Sequence, residues 1–150
     1  MTDDQRQAVV LEYLHALDRG GATSNGGSIF DLFASDAQVY FPKWGVAKGR
    51  PQIEKLFSDL GGKLKSIAHH YDSLNWIFSG GDTIVCEGTS HGEHADGPWR
   101  AGDPDWGAGR WCDVFEIRDG VIQRCFIYLD PDYAGKDTAR YPWIESKQRG

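Results

Sequence analysis

The chain has 150 residues, which suits one domain, and its 40% hydrophobic content excludes disorder as the overall state. A formal net charge of −6 makes nucleic acid a poor partner, because an acidic surface repels phosphate backbones. No apolar run approaches the length that spans a bilayer, and the N-terminus lacks the basic and apolar regions of a signal peptide. We therefore expect a cytoplasmic protein without a membrane partner, whose three cysteines stay reduced.

Helix signals fill the first part of the chain. Thr2 followed by Gln5 is typical of a capping box, and apolar residues then recur at helical spacing up to Leu17. The first helix is predicted to end at 20–21, before a polar glycine-rich loop and a short second helix around 28–33. A third helix is predicted to carry Pro51 in its first turn and to stop at 61–62.

Strand patterns dominate the rest of the chain. A short strand over 37–41 comes between the helices, and longer strands are predicted over 69–78, 83–94, 109–118 and 121–129. Asp119-Gly120 is a strong turn signal, and 94–108 is predicted to be a long loop. Helices first and antiparallel strands afterwards predict an α+β fold, in which the helices pack on a curved, mainly antiparallel sheet.

The hairpin at Asp119-Gly120 predicts which side chains share a face. A two-residue turn pairs Arg118 with Val121, and a regular ladder then determines every following pair. Because side chains alternate along a strand, these pairs also determine which residues share a face. The face that we take as concave is predicted to carry Trp111, Asp113, Phe115, Ile117, Ile122, Phe126, Tyr128 and Asp130. The opposite face is predicted to carry Cys112, Val114, Glu116, Gln123, Cys125 and Ile127.

Asp113 is therefore expected among aromatic rings, where burial would raise its pKa and keep it protonated. One interpretation is a structural acid, satisfied by Arg124, Arg110 or a backbone amide. Two acids and a tyrosine on one aromatic face favour a functional pocket instead. For Asp130 at the strand end, a role in the pocket and a role in capping the turn at 130–132 both remain open.

Several motifs carry a resemblance to a known superfamily. They are YLHALD (13–18), IFDLFASDA (29–37), GRP (49–51), DVFEIRDGVI (113–122) and YLD (128–130). The chain resembles the nuclear-transport-factor-2-like (NTF2-like) superfamily, in particular its polyketide-cyclase (SnoaL-like), ketosteroid-isomerase-like and limonene-epoxide-hydrolase-like branches. This resemblance implies a cone-shaped α+β barrel as a single domain over 1–150, with a core of about 5–133 and a tail over 134–150.

The resemblance also implies catalytic roles, which differ between branches. In the ketosteroid isomerases, a tyrosine and a protonated aspartic acid donate hydrogen bonds to an enolate, and they match Tyr13 and Asp113. The general base of that branch falls near Phe41, which cannot take a proton. In the polyketide cyclases and limonene epoxide hydrolases, an aspartate that closes the last strand matches Asp130.

A further pair comes from the scytalone-dehydratase-like and hexachlorocyclohexane-dehydrochlorinase-like branches. Their aspartate late in helix one and their histidine in the next strand match Asp18 and His69, and a second histidine of the dehydratase matches His94. An Asp–His pair is a suitable general base, because the carboxylate selects the tautomer and raises the basicity of the imidazole. Strand parity favours His70 as the inward-facing residue, whereas the family match favours His69.

These observations predict a small-molecule enzyme that uses acid–base chemistry without a cofactor or metal. Isomerisation, elimination (a dehydratase or lyase reaction) and cyclisation of a small apolar substrate are the candidate reactions. The expected catalytic residues are Asp113, Asp130, Tyr13, Asp18 and His69. The expected substrate contacts are Phe41, Trp44, His94, Trp111, Phe115, Phe126 and Tyr128.

The alternative is a non-catalytic module of the same fold that binds a ligand or dimerises. Homodimerisation through the convex sheet face is implied by the resemblance in either case. On the predicted register, that face would supply Cys112, Val114, Cys125 and Ile127 as apolar contacts.

Overall fold

The computed structural model describes residues 1–99, 109–137 and 140–141. Within these residues the chain forms two α-helices and eight strands, with single 3₁₀ turns at Ile29–Leu32 and Tyr71–Ser73. The helices are α1 (Asp3–Asp18) and α2 (Arg50–Gly61). The strands are β1 (Phe33–Phe41), β2 (Gly45–Lys48), β3 (Leu64–His69), β4 (Asn75–Phe78), β5 (Thr83–His94), β6 (Gly97–Pro98), β7 (Arg110–Arg118) and β8 (Val121–Leu129).

The predicted N-terminal helix is confirmed together with its cap. The Thr2 hydroxyl accepts from the Gln5 amide and the Gln5 side chain accepts from the Thr2 amide, so the capping box is complete. The apolar face of α1 is buried at Val10, Tyr13 and Leu14. The third predicted helix is α2, with Pro51 in its first turn, whereas the predicted second helix is only the 3₁₀ turn Ile29–Leu32. No helix in the described ranges is long and apolar enough to cross a membrane.

The sheet is mixed and strongly curled. Its order is β2-β1-β8-β7-β5-β3, with β4 and β6 also paired to β5. The pairing of β1 with β8 is parallel and the other pairings are antiparallel, so the sheet is mainly antiparallel, as predicted. The twelve residues of β5 connect β7 to the edge strand β3, because the first half of β5 pairs with β7 and its second half with β3.

The predicted hairpin register is confirmed at the turn and wrong beyond it. Asp119 and Gly120 have φ values of 54° and 79°, as a two-residue hairpin turn with two positive φ angles requires. Arg118 pairs with Val121, but the register then shifts by one residue, so that Glu116 pairs with Arg124. The shift leaves one extra residue in β8, a β-bulge.

The bulge reverses the predicted faces of β8. Cys125 and Ile127 are buried on the concave side, at 0% and 6% exposure, although the regular ladder predicted them on the convex side. Phe126 and Tyr128 lie on the convex side, and Tyr128 is 47% exposed, so their predicted position in the pocket is wrong. A regular ladder cannot place these residues, because each bulge moves every later side chain to the other face.

The predicted strand over 69–78 is two strands. β3 ends at His69, the 3₁₀ turn Tyr71–Ser73 follows, and β4 begins at Asn75. The alternation of side chains in β4 therefore cannot be extended back to His69 and His70, and it gives the wrong face for both residues. The predicted loop over 94–108 contains the short strand β6, and its residues 100–108 lie outside the described residues.

Candidate active site

A cavity of about 700 Å³ lies between the two helices and the concave face of the sheet. This volume is within the usual range of small-molecule pockets. Six residues predicted for the site line it: Tyr13, Asp18, Phe41, His69, Trp111 and Asp113. Six others predicted for the site are not among the lining residues: Trp44, His94, Phe115, Phe126, Tyr128 and Asp130.

Asp18 and His69 form a hydrogen-bonded pair on one wall of the cavity. Asp18 is the last residue of α1, and His69 is the last residue of β3. His69 Nδ1 lies 2.6 Å from Asp18 Oδ1, and the His69 backbone amide donates to Asp18 Oδ2 at 3.1 Å. His69 is buried, whereas His70 contacts Thr89 and His91 outside the cavity, so His69 is the histidine that faces the pocket.

Tyr71 is a third member of this cluster that the sequence did not suggest. Its hydroxyl donates to Asp18 Oδ2 at 2.7 Å, and its ring stacks on His15 with centroids 4.1 Å apart. Burial raises the pKa of Asp18, but the hydrogen bonds from His69 and Tyr71 outweigh burial and hold that pKa below its ordinary value. Asp18 is therefore a carboxylate at neutral pH. We call Asp18, His69 and Tyr71 the His69 cluster.

The ionised Asp18 determines the tautomer of a neutral His69. Because the carboxylate can only accept, we assign the proton of the neutral imidazole to Nδ1, which leaves Nε2 as a proton acceptor. Trp111 packs edge-on against the His69 ring, with centroids 5.3 Å apart and planes at 88°, and thus limits its rotation. A general base with this arrangement can take a proton from a bound molecule.

Asp113 and Tyr13 form a second polar group, the Asp113 cluster, at the deep end of the cavity. They are 3% and 0% exposed, and the Tyr13 ring packs edge-on against the core residue Phe115 at 5.4 Å. Asp113 Oδ1 and the Tyr13 hydroxyl have no hydrogen-bond partner with good geometry among the described residues. Arg124, one of the partners considered for Asp113, lies instead over the ring of Phe126.

Burial alone raises the pKa of Asp113 well above its ordinary value, which favours the protonated carboxyl group over the carboxylate. Burial, together with the neighbouring Cys125 and Asp113, raises the pKa of Tyr13 as well. Both groups can therefore donate a hydrogen bond to an oxygen in the cavity.

Trp111 owes its place in the cavity wall to Gly88. The two residues are opposite each other in the β5–β7 ladder, and a Cβ atom on Gly88 would lie 3.0 Å from Trp111 Cζ2 and 2.8 Å from Leu74 Cδ2. The indole Nε1 of Trp111 and that of Trp99 are both buried without an acceptor among the described residues.

The model of the SnoaL-like domain matches residues 10–125, which is most of the chain. The chain belongs to the SnoaL-like family. Among curated proteins none matches this SnoaL-like chain.

Solved structures agree on the cone-shaped NTF2-like fold. An NTF2-like protein from Anabaena variabilis is 21% identical, with a TM-score of 0.66 over 89% of this chain and 96% of that one. A candidate polyketide cyclase from Sinorhizobium meliloti is 18% identical, with a TM-score of 0.60 over 81% and 94%. TerC, crystallised with polyporic acid, is 16% identical, with a TM-score of 0.60 over 94% and 98%.

Asp130 of this SnoaL-like chain lies outside the cavity. It is exposed, and its Oδ1 accepts from the Asp132 backbone amide at 2.9 Å. This contact caps the turn after β8, which is the structural one of the two interpretations left open by the sequence. The bulge in β8 explains why Asp130 does not face the cavity. It shifts the alternation of side chains by one residue, so that Asp130 no longer falls on the inward-facing side.

The remaining predicted contacts support the cavity from behind or lie apart from it. Phe115 packs behind Tyr13, and His94 stacks on the lining residue Tyr133 with centroids 5.4 Å apart. Trp44 donates its indole N–H to Asp59 at 3.0 Å. Sequence reasoning missed several apolar and small lining residues, among them Ile127, Leu129 and Ser90, because their position depends on the bulge and on the β3–β5 pairing.

Proposed function

We propose that this SnoaL-like protein is an enzyme that moves a proton on a small, largely apolar organic molecule without an organic cofactor. The observation that carries the proposal is one cavity with two aspartates whose pKa values are shifted in opposite directions. Asp18 orients His69 and has its pKa lowered by hydrogen bonds, while burial raises the pKa of Asp113 and favours its protonated form. A base and an acid are thus available in the same pocket at the same pH.

The reaction class that uses both the base His69 and the acid Asp113 is proton abstraction next to a carbonyl group. His69 Nε2 takes the proton from the carbon, and the electron pair of that C–H bond forms the C=C bond of an enolate. The negative charge develops on the carbonyl oxygen, where Asp113 and Tyr13 donate hydrogen bonds to it. Return of the proton at another carbon is an isomerisation, and loss of a β-substituent is an elimination.

Two structural neighbours support this substrate class. One is named as a candidate polyketide cyclase, and another was crystallised with polyporic acid, a small organic molecule. At 18% and 16% identity they share the fold, and the chemistry proposed here rests on the residues of this chain.

Deuterium exchange into 2-tetralone tests the proposal without knowledge of the natural substrate. This bicyclic ketone has acidic α-protons, and their loss in D₂O is followed by proton NMR. We expect saturable exchange catalysed by the native protein, and a rate lower by about 10²- to 10³-fold in Asp113→Asn. Asp130→Asn is the matched control, because Asp130 is exposed outside the cavity. Exchange no faster than with free imidazole, or equal exchange in native protein and Asp113→Asn, would refute the proposal.

We also propose that the protein forms a homodimer through the convex face of the sheet. The bulge changes the residues expected there, since Phe126 and Tyr128 replace Cys125 and Ile127. Tyr40 packs against both rings, with centroids 5.7 and 5.5 Å apart, which makes an aromatic patch on this face. Sedimentation velocity tests it: the native protein should sediment as a dimer and Tyr128→Arg as a monomer. A monomeric native protein would contradict this proposal.

A further inference from the structure

The described part of the chain has four buried side-chain polar atoms without a hydrogen-bond partner, and all four belong to residues that line the cavity. Two of them, on Tyr13 and Asp113, are accounted for by the proposed function. The other two are the indole nitrogens of Trp111 and Trp99. A buried donor without a partner destabilises the folded protein, so such atoms concentrated in one cavity indicate where a ligand makes its polar contacts.

The indole of Trp111 lies away from the Asp113 cluster along the cavity wall. Trp111 and Asp113 are two residues apart on the same face of β7, which separates their backbones by about 7 Å. Phe115 and Tyr13 lie beyond Asp113 in the opposite direction, and the His69 ring lies beside Trp111. The cavity therefore has one donor group at its deep end and a second donor next to the proposed base.

The Trp111 side chain is held in this position from two sides. A Cβ atom on Gly88 would lie only 3.0 Å from Cζ2 of its six-membered ring, and the His69 ring meets it edge-on. An indole N–H can only donate, so the group that it binds must be an acceptor. Its cross-strand partner in the β7–β8 ladder is the apolar lining residue Leu129, which favours a compact neutral oxygen over a hydrated charge.

We propose that the ligand of this cavity carries two oxygen atoms on an apolar body, the second of which is a carbonyl-type acceptor bound by the Trp111 indole N–H. This inference rests on the proposed function, in which Asp113 and Tyr13 hold the first oxygen. Trp111 thereby becomes a specificity-determining residue that selects dioxygenated molecules over equally sized molecules with one oxygen.

Two probes of matched shape test this selection: 6-acetyl-2-naphthol, and 6-ethyl-2-naphthol, which lacks the carbonyl oxygen. Isothermal titration calorimetry should show that the native protein binds the acetyl probe at least about tenfold more tightly than the ethyl probe. Trp111→Phe keeps an aromatic ring without the donor, so the two probes should bind it equally. Trp44→Phe is the matched control and should keep the preference, because the Trp44 indole donates to Asp59 outside the cavity.

A second measurement uses the native protein and does not depend on the folding of a variant. The indole N–H resonance of Trp111, identified by its through-space contact with the His69 ring, should move downfield with the acetyl probe and remain in place with the ethyl probe.

The outcomes separate this inference from the function on which it rests. Equal affinity of the two probes in the native protein, or a preference that survives in Trp111→Phe, would overturn the inference and leave the proposed function intact. Failure of both probes to bind would overturn the oxygen site at Asp113 and, with it, the role assigned to Trp111. A tenfold preference that depends on Trp111 supports both.

Discussion

Asp18 and Asp113 line the same cavity, yet their surroundings drive their pKa values in opposite directions. Asp18 accepts hydrogen bonds from the ring and the backbone of His69 and from Tyr71. Asp113 is almost fully buried, and its Oδ1 has no partner among the described residues. The number of donors around each carboxyl group, and not its depth alone, decides its charge.

This difference between the two carboxyl groups allows one fold to carry both halves of an acid–base reaction. The His69 cluster is hydrogen-bonded within the protein and is ready before a ligand arrives. In the Asp113 cluster, Asp113 Oδ1 and the Tyr13 hydroxyl have no partner among the described residues, so they can make their hydrogen bonds with the ligand. The His69 cluster thus supplies a preorganised base, and the Asp113 cluster supplies donors that are free to bind the ligand.

His69→Gln removes the proposed base and is expected to have the largest effect. The exchange rate of 2-tetralone should fall by about 10²- to 10⁴-fold, the usual contribution of a positioned general base. His70→Gln is the control and should leave the rate unchanged, because His70 contacts Thr89 and His91 outside the cavity. Equal losses in the two variants would show that the pair Asp18 and His69 is not the base.

Tyr71→Phe removes one donor from the His69 cluster. We expect the free energy of unfolding at pH 7 to fall by about 1.5 kcal/mol, the lower value for a hydrogen bond to a charged group. Because Asp18 has a lowered pKa, the stability it contributes is present above the ordinary carboxyl pKa and is lost as the pH falls through its folded value.

The cost of Tyr71→Phe in urea denaturation should therefore shrink from pH 7 to pH 3. Tyr128→Phe, at a tyrosine that is 47% exposed, is the control and should change stability by less than about 0.5 kcal/mol. A cost that is the same at both pH values would mean that Tyr71 stabilises the fold without acting on the Asp18 carboxylate.

Asp113→Asn tests the Asp113 cluster, for which the expected pH dependence of stability is opposite to that of Asp18. The folded pKa of Asp113 is raised, so the unfolded chain ionises first, and the native protein should lose stability as the pH rises from about 4 toward that folded pKa. The variant cannot ionise there, and its free energy of unfolding should fall less as the pH rises from about 4 toward neutral. Each unit of pKa difference corresponds to about 1.4 kcal/mol. Parallel curves for the native protein and the variant would contradict a protonated Asp113, and Asp130→Asn should match the native curve.

Gly88→Ala should have the smallest effect, through the packing of Trp111. The added Cβ would lie 2.8 Å from Leu74 Cδ2 and 3.0 Å from Trp111 Cζ2. Since the end of the Leu74 side chain can shift, we expect a loss of about 1 kcal/mol in thermal or urea unfolding. Gly61→Ala is the control, because nothing lies within 4 Å of its added Cβ. A neutral Gly88→Ala would show that Trp111 is not held tightly.

The parts of the fold that sequence reasoning predicted are those with local signals. The Thr2 capping box, the Asp119-Gly120 turn and the limits of β5 depend on residues close together in the chain. The pairing of Asp18 with His69 was suggested by family resemblance and is present at hydrogen-bond distance, although the residues are 51 positions apart.

What could not be predicted depends on irregularities without a local signature. Strand parity chose His70 over His69, because the 3₁₀ turn Tyr71–Ser73 was counted as strand. The prediction that Phe126 and Tyr128 face inward was wrong for a similar reason, since no glycine or proline marks the extra residue in β8. Tyr71 was missed because its contact with Asp18 exists only once that turn is formed.

The bulge in β8 lies between the pairs Ile117–Ile122 and Glu116–Arg124, close to the turn of the hairpin. Every residue of β8 after the bulge is shifted by one position relative to a regular ladder, and its side chain therefore points to the opposite face. Loss of a single residue at this point would exchange Cys125 and Ile127 for Phe126 and Tyr128 on the concave face, without a substitution in either set. A length change of one residue in this hairpin is therefore a route by which a chain of this fold can acquire a different pocket and a different outer surface in one genetic event.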